Sequence, residues 1–208
     1  MEWKWFVGGI ILVAVAAFFI LNHGTSEQPQ PTSREIVAIA GGQAIYSDDV
    51  TNEISRMALI GTGISRQDAL NVLITRSVLA SEAAKQGVIV KGNETEQEFS
   101  RFIAGRNLTR AQFERMLAQK NLTLGYFMSV LNAELTVKKL VEAQLPLQFI
   151  IKYNDVLKLY NERYNNTNIT FDQMEKNLTD ELTKVRQEEY KQDYIKKILS
   201  KAEVISFS

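Results

Sequence analysis

The chain has 208 residues with 24 Lys plus Arg, 24 Asp plus Glu and no Cys, so its formal net charge is zero. The balanced charge argues against nucleic acid as a partner and leaves no acidic block that would form a tail. The lack of Cys excludes disulfides, thiolate chemistry and Cys-based zinc sites.

The N-terminal segment contains an uncharged apolar run at residues 5–21. As a helix, this run covers about 25 Å, close to the hydrocarbon core of a thin bilayer. The only small-x-small pattern, at residues 14–16, lies inside the run, which favours an uncleaved signal anchor over a cleaved signal peptide. We therefore expect residues 1–24 to form a transmembrane signal anchor that crosses the cell membrane through residues 3–21. This anchor makes the protein single-pass, and we place its C-terminal domain outside the cytoplasm.

A linker and a small sheet are predicted next. Residues 25–35 have a Gln, Pro, Ser and Thr composition that suits an extended tether. Residues 36–40, a Gly-Gly turn and residues 43–45 read as a β-hairpin. Because a single hairpin is marginal in water, we expect residues 204–207 to pair with it and complete a three-stranded sheet.

Helices account for most of the remaining chain. Their predicted starts are Ser or Thr residues that can accept a hydrogen bond from the first turn, and three of the Thr residues begin a capping box. The N-caps are Ser47, Ser65, Thr123 and, with capping boxes, Thr95, Thr109 and Thr170. The fold class is therefore mainly α, with one helical domain over residues 36–208. Its C-terminal helix and strand, residues 170–207, return to the hairpin.

Four segments in this order carry a family resemblance. They are the hairpin and first helix (residues 37–50), the helix at residues 69–88, a Phe-rich helical pair (residues 98–113) and the last helix and strand (residues 186–205). The set resembles the extracytoplasmic SurA-type chaperones, which include the membrane-anchored PpiD group and the lipid-anchored PrsA group. The resemblance implies a SurA N-terminal-like domain that holds unfolded or newly exported polypeptides without ATP.

The chain departs from the family at one position. Fuller members insert a parvulin prolyl-isomerase domain before the last helix, whereas here Tyr164 leads through residues 165–168 directly to Thr170. Parvulin active sites also use a pair of His residues, and the single His of this chain is His23, beside the anchor. We therefore expect no isomerase activity and no enzyme, with no catalytic residue, no metal site and no cofactor.

Two sets of side chains are candidate sites. Apolar residues that suit promiscuous contact with a client are Phe99, Phe102, Phe113, Met116, Phe127 and Met128. The alternative is that each of them belongs to an ordinary core. The Asn-x-Ser/Thr sequons, which accept glycans in exported proteins, are at Asn93, Asn107, Asn121, Asn165, Asn168 and Asn177. The alternative is that Asn forms loops there and Thr caps helices.

Acidic residues near the start of the first helix also have two interpretations. Asp48, Asp49 and Glu53 suggest a metal site by type, but adjacent residues face different sides of a helix, so compensation of the helix dipole is the better account. The preferred function is thus a membrane-anchored chaperone whose partners are unfolded or nascent exported polypeptides. The alternative is an accessory subunit that binds one folded membrane-protein partner through the same helices.

Overall fold

The computed structural model describes residues 34–207, and from Glu35 onward they form one compact unit. In chain order the described elements are β1 (Ile36–Ala40), β2 (Gln43–Tyr46), α1 (Ser47–Leu59), α2 (Arg66–Lys85), α3 (Gly92–Ala104), α4 (Arg110–Ala118), α5 (Leu124–Glu142), α6 (Tyr153–Tyr164), α7 (Phe171–Leu199) and β3 (Val204–Ser206). The predicted anchor at residues 1–24 and nearly all of the predicted linker lie outside the described residues. None of the helices between residues 34 and 207 combines the length and apolar character needed to cross a bilayer.

The sheet joins the two ends of the described chain. Its strand order is β2-β1-β3 and both pairings are antiparallel, with Ile39 opposite Ile205 in the second pair. The prediction of a three-stranded sheet is therefore confirmed. Gly41 (φ +58) makes the turn between β1 and β2, and a Cβ at this position would lie 2.6 Å from the Ser77 carbonyl oxygen of α2. Glycine is required there both for the left-handed backbone and for the close approach of the helix.

Four of the predicted N-caps are confirmed. Ser65 and Thr123 accept a hydrogen bond from their first helical turns, and Thr109 and Thr170 form capping boxes with Gln112 and Gln173. At Ser65, Thr109 and Thr123 the side chain accepts from a backbone N–H of the first turn, and at Thr170 the backbone N–H donates to the Gln173 side chain at 3.0 Å.

Two predicted N-caps are wrong. The N-cap of α1 is Tyr46, one residue before Ser47, and its backbone N–H donates to the Asp49 carboxylate at 3.0 Å. Helix α3 begins at Gly92 after Lys91, which places Thr95 inside the helix rather than at its start. The Thr95 side chain is buried, and its hydroxyl accepts a hydrogen bond from Asn132 of α5 at 2.9 Å. A tertiary contact thus explains a Thr that has the sequence signature of a cap.

The core consists of two clusters. The first lies between the sheet, α1, α2 and the end of α7, where Ala38 and Ala40 of β1 are fully buried. The second is an aromatic cluster between α3, α4 and α5. Helix α6 packs along α7, and the arm that they form carries buried Val156 and Leu178. Helices α1 and α2 thus border the first cluster, and α5 borders the second and packs against α2.

Candidate functional site

The predicted client-binding residues divide into two groups. Three of the rings are buried, with 1% of Phe99, 1% of Phe113 and 3% of Phe127 exposed. The ring centroids of Phe113 and Phe127 are 4.8 Å apart at an interplanar angle of 71°, an edge-to-face arrangement that is favourable in cores. This burial agrees with the core alternative that the sequence left open.

The other three residues of this set are half-buried. Phe102 and Met128 pack against the aromatic cluster from its edge, and Met116 lies at the end of α4 with part of its side chain exposed. These six residues therefore lie on α3, α4 and α5, where three of them fill one cluster and the other three lie at its edge or remain partly exposed. Their role in client binding stays a prediction.

An open groove lies elsewhere, between α1, α2 and α5. It has a volume of about 540 Å³, and its walls are mainly apolar. Met57 comes from α1, Val72 and Leu79 come from α2, and Val137 comes from α5. A space of this size accommodates one or two large side chains of an extended peptide. The groove could not be predicted from the sequence, because its walls come from three helices that are far apart in the chain.

Charged side chains form one side of the groove. The Glu53 carboxylate is fully buried and accepts two hydrogen bonds from Arg56, of 3.0 Å from Nε and 2.7 Å from Nη2. It also accepts two from Arg76 of α2, of 3.3 Å from Nη1 and 2.7 Å from Nη2. Glu134 of α5 lies 3.2 Å from Arg56 and 3.8 Å from Arg76, and 45% of its side chain is exposed. We call these four residues the ionic cluster.

The ionic cluster keeps its charged forms despite burial. Burial alone would raise the pKa of Glu53, but the hydrogen bonds from the two Arg side chains outweigh it, so that the pKa lies below its ordinary value. Burial disfavours the charged form of Arg56 as well and would lower its pKa. The hydrogen bond and the charge of Glu53 outweigh burial, so the pKa of Arg56 is raised above its ordinary value. Burial and then the Glu53 charge raise the pKa of Tyr126 to about 12, so the Tyr126 hydroxyl near Glu53 stays neutral. Glu53 therefore holds two arginines and is not available as a metal ligand.

A second apolar surface lies on the connection between α5 and α6. Leu147 and Ile150 are almost fully exposed, and Tyr153 at the start of α6 is more than half exposed. We call these three residues the connector patch. The segment is held against α7 by Phe149, whose ring centroid is 6.1 Å from that of Tyr190. Exposed apolar side chains next to one another are typical of surfaces that bind other polypeptides.

The six predicted glycosylation sites are all exposed. Asn107 (φ 54) and Asn121 (φ 56) adopt the left-handed conformation just after α3 and α4, where Asn commonly ends a helix. This backbone role supports the alternative that Asn is a loop former there. Asn165 and Asn168 lie between α6 and α7. The remaining two lie within helices, Asn93 in α3 and Asn177 in α7, so a loop-forming role for Asn does not apply to these two sites. Glycan attachment stays a prediction.

Comparison with known proteins decides the family. The sequence matches the family model of the SurA-like N-terminal domain over residues 2–141. The chain belongs to the SurA-like N-terminal domain family. The structure is similar to one of the two structurally related SurA-like chaperones PEB4 and Cj1289 of Campylobacter jejuni, with a TM-score of 0.54 and 13% identity over 83% of this chain and 99% of that chain. No curated protein matches the sequence significantly.

The groove lies within the part of the chain that matches the SurA-like family model. All residues named above as walls of the groove or members of the ionic cluster lie between residues 53 and 137, inside the match, whereas the connector patch follows it. This family and fold support a chaperone-type role. Within residues 34–207, no group of three or more His, Asp or Glu side chains is placed to hold a metal ion.

Proposed function

We propose that the protein is a membrane-anchored, ATP-independent chaperone that holds unfolded or newly exported polypeptides. The observation that carries the proposal is the open apolar groove between α1, α2 and α5, in a domain of the SurA-like family. Met57, Val72 and Val137 are partly exposed, so these apolar walls contact water when no client is bound. Binding an extended client segment removes this contact, which is the usual driving force for promiscuous recognition.

The groove is suited to weak and reversible holding. Burying one large apolar side chain contributes about 1.5–3 kcal/mol, and each 1.4 kcal/mol corresponds to about tenfold in affinity. Contacts of this strength release a client without an energy source. Attachment to a membrane where clients emerge raises their effective concentration and offsets the weak affinity.

Two further parts of the proposal concern the whole chain. Anchoring through residues 3–21, with the domain outside the cytoplasm, is supported by the uncharged apolar run at residues 5–21. The absence of isomerase activity is supported by the direct connection of α6 to α7 through residues 165–170, the position at which fuller family members carry a parvulin domain.

The proposal is tested by suppression of aggregation. The full chain, purified in a mild nonionic detergent, is mixed with a chemically unfolded client, and light scattering is followed as the client is diluted into buffer. We expect near-stoichiometric protein to suppress the scattering. Replacing two walls of the groove, Val72→Ser with Val137→Ser, should raise the amount of protein needed by about tenfold, because it removes roughly one buried side chain's worth of apolar contact.

The matched control is Ile89→Ser, which changes an exposed β-branched residue that does not line the groove. It should suppress scattering as the unsubstituted protein does, and circular dichroism should show that all variants remain folded. Failure of the unsubstituted protein with several unrelated clients would contradict the proposal. Crosslinking in native membranes separates the alternative function: a single folded partner instead of many nascent chains would favour an accessory subunit.

A further inference from the structure

The ionic cluster is unevenly balanced between its buried and exposed parts. The buried part contains Glu53 between Arg56 and Arg76, whose side chains are only 7% and 13% exposed. One carboxylate and two guanidinium groups leave one positive charge uncompensated beside the groove. This positive charge, at the wall of the groove, attracts a further carboxylate.

Glu134 supplies that carboxylate, and it does so from the rim. Its side chain is 45% exposed, and its contacts of 3.2 and 3.8 Å are longer than the 2.7 Å contacts of Glu53 with the same two arginines. A partly exposed ion pair contributes little net free energy because water screens it and the side chain loses freedom. Glu134 is therefore the member of the cluster that another carboxylate can replace at little cost.

The walls next to the two arginines indicate which other chemical group a ligand of the groove needs besides a carboxylate. Arg56 and Arg76 line the same groove as Val72, Leu79 and Val137. The other acidic residue on the groove, Asp68, accepts a hydrogen bond of 2.7 Å from Ser65 in the first turn of α2, where the helix dipole stabilises a negative charge. A ligand that fits both parts has a carboxylate beside a large apolar side chain.

We infer that the groove selects client segments in which an Asp or Glu side chain lies next to a large apolar residue. The apolar side chain packs between α2 and α5, and the client carboxylate takes the place of Glu134 on the two arginines. This inference rests on the proposed function and adds a substrate class to it. It distinguishes this groove from a purely apolar one, which would disfavour acidic segments because of the cost of desolvating them.

The test compares short fluorescent peptides, acetylated and amidated at their ends, by anisotropy with the full chain. One peptide has Leu followed by Glu at its centre, and its partner has Leu followed by Gln. We expect the Glu peptide to bind about fivefold more tightly, and this preference to shrink at high salt. Glu134→Gln removes the competing carboxylate, so it should tighten binding of the Glu peptide further and leave the Gln peptide unchanged.

The matched control is Glu142→Gln, an exposed residue of the same helix whose carboxylate lies 4.0 Å from Lys138 and does not line the groove. It should leave the preference unchanged. A Gln peptide with a free C-terminus tests the other source of a carboxylate, and it should bind like its amidated form; binding as tight as that of the Glu peptide would overturn the choice of an acidic side chain.

The inference and the proposed function fail in different ways. Equal binding of the Glu and Gln peptides, in both the unsubstituted protein and Glu134→Gln, would overturn the inference alone. If the unsubstituted protein neither suppressed aggregation nor bound either peptide, the proposed function would be overturned. The comparison of the two peptides on the unsubstituted protein does not depend on the folding of any variant.

Discussion

At the scale of single residues, Glu53 links three helices. It lies on α1, its arginine partners lie on α1 and α2, and those arginines contact Glu134 of α5. A buried ion pair is not by itself evidence of stability, because the cost of removing the charges from water offsets their attraction. Removing the fully buried member, Glu53, is strongly destabilising, since the two buried arginines then lose the carboxylate that compensates them.

We predict that Glu53→Gln lowers the free energy of unfolding by about 3–5 kcal/mol at neutral pH. Gln keeps the shape of the side chain, but two buried guanidinium groups then face a single neutral acceptor. Urea denaturation measures the change. Glu134→Gln is the control, and its cost should stay below about 1 kcal/mol because this carboxylate is partly exposed. Equal losses in the two variants would contradict the assignment of Glu53 as the central charge.

The same carboxylate makes a specific contribution to the pH dependence of stability. The pKa of Glu53 in the folded state lies below its ordinary value of 4.5, so the unfolded chain binds more protons in the window beneath 4.5. The contribution of Glu53 is therefore complete above pH 4.5 and is lost as the pH falls through the folded-state pKa. The difference in unfolding free energy between the unsubstituted protein and Glu53→Gln should accordingly narrow below pH 4.5.

At the scale of elements, β3 is a short edge strand with a structural role larger than its length suggests. Its residues are exposed, yet it covers β1, whose Ala38 and Ala40 are fully buried. The Phe207 N–H donates to the Val37 carbonyl at 3.0 Å. Because backbone groups alternate in direction along a strand, the N–H of Ile205 also faces β1, whereas that of Val204 faces outward.

We predict that Ile205→Pro destabilises the domain by about 1–3 kcal/mol, since proline removes the donor of a ladder hydrogen bond and leaves a β1 carbonyl without its partner. Val204→Pro is the matched control one residue away, where the outward N–H makes no bond to β1, and it should cost clearly less. Thermal unfolding by circular dichroism measures both. Equal loss from the two substitutions would show that β3 does not pair in this register.

The strands of the hairpin and the starts of several helices were predictable from the sequence, because the residues that determine them lie within a few positions of one another. The Gly-Gly turn fixes the hairpin, and the capping boxes at Thr109 and Thr170 involve side chains only three residues apart. The error at Thr95 has a long-range cause, because its hydroxyl bonds Asn132, 37 residues away. Periodicity and capping rules contain no information on such a contact.

The groove was not predictable for the same reason. The i, i+3 spacing of Glu53 and Arg56 is visible in the sequence as an ion pair on one helix face. Nothing local shows that Arg76 joins them, since it lies 23 residues further on, in α2. The large aromatic residues of α3, α4 and α5 suggest a client-binding surface by their type. Three of them fill the core instead, because large apolar side chains are the ones that gain most from burial.

At the scale of the whole molecule, two separate surfaces carry apolar side chains, and under the proposed function both would contact a client chain. The groove lies between α1, α2 and α5, and the connector patch lies between α5 and α6. An unfolded polypeptide is long enough to engage more than one surface, and the second contact then forms at a high effective concentration. Under the proposed function, two weak surfaces would therefore hold a client that neither holds alone, without a deep binding site.

We predict that Leu147→Ser with Ile150→Ser weakens client holding and leaves stability unchanged within about 0.5 kcal/mol, because these side chains contact little of the folded protein. The two substitutions should raise the amount of protein needed to suppress aggregation. Combined with Val72→Ser and Val137→Ser, they should weaken holding by more than either pair alone, as expected for two surfaces that act on one chain. Ile89→Ser serves as the control for an exposed apolar residue outside both surfaces. If the variant with Leu147→Ser and Ile150→Ser suppressed aggregation as well as the unsubstituted protein, the groove alone would account for client holding. Short peptides that fill the groove would then bind as tightly as long unfolded chains.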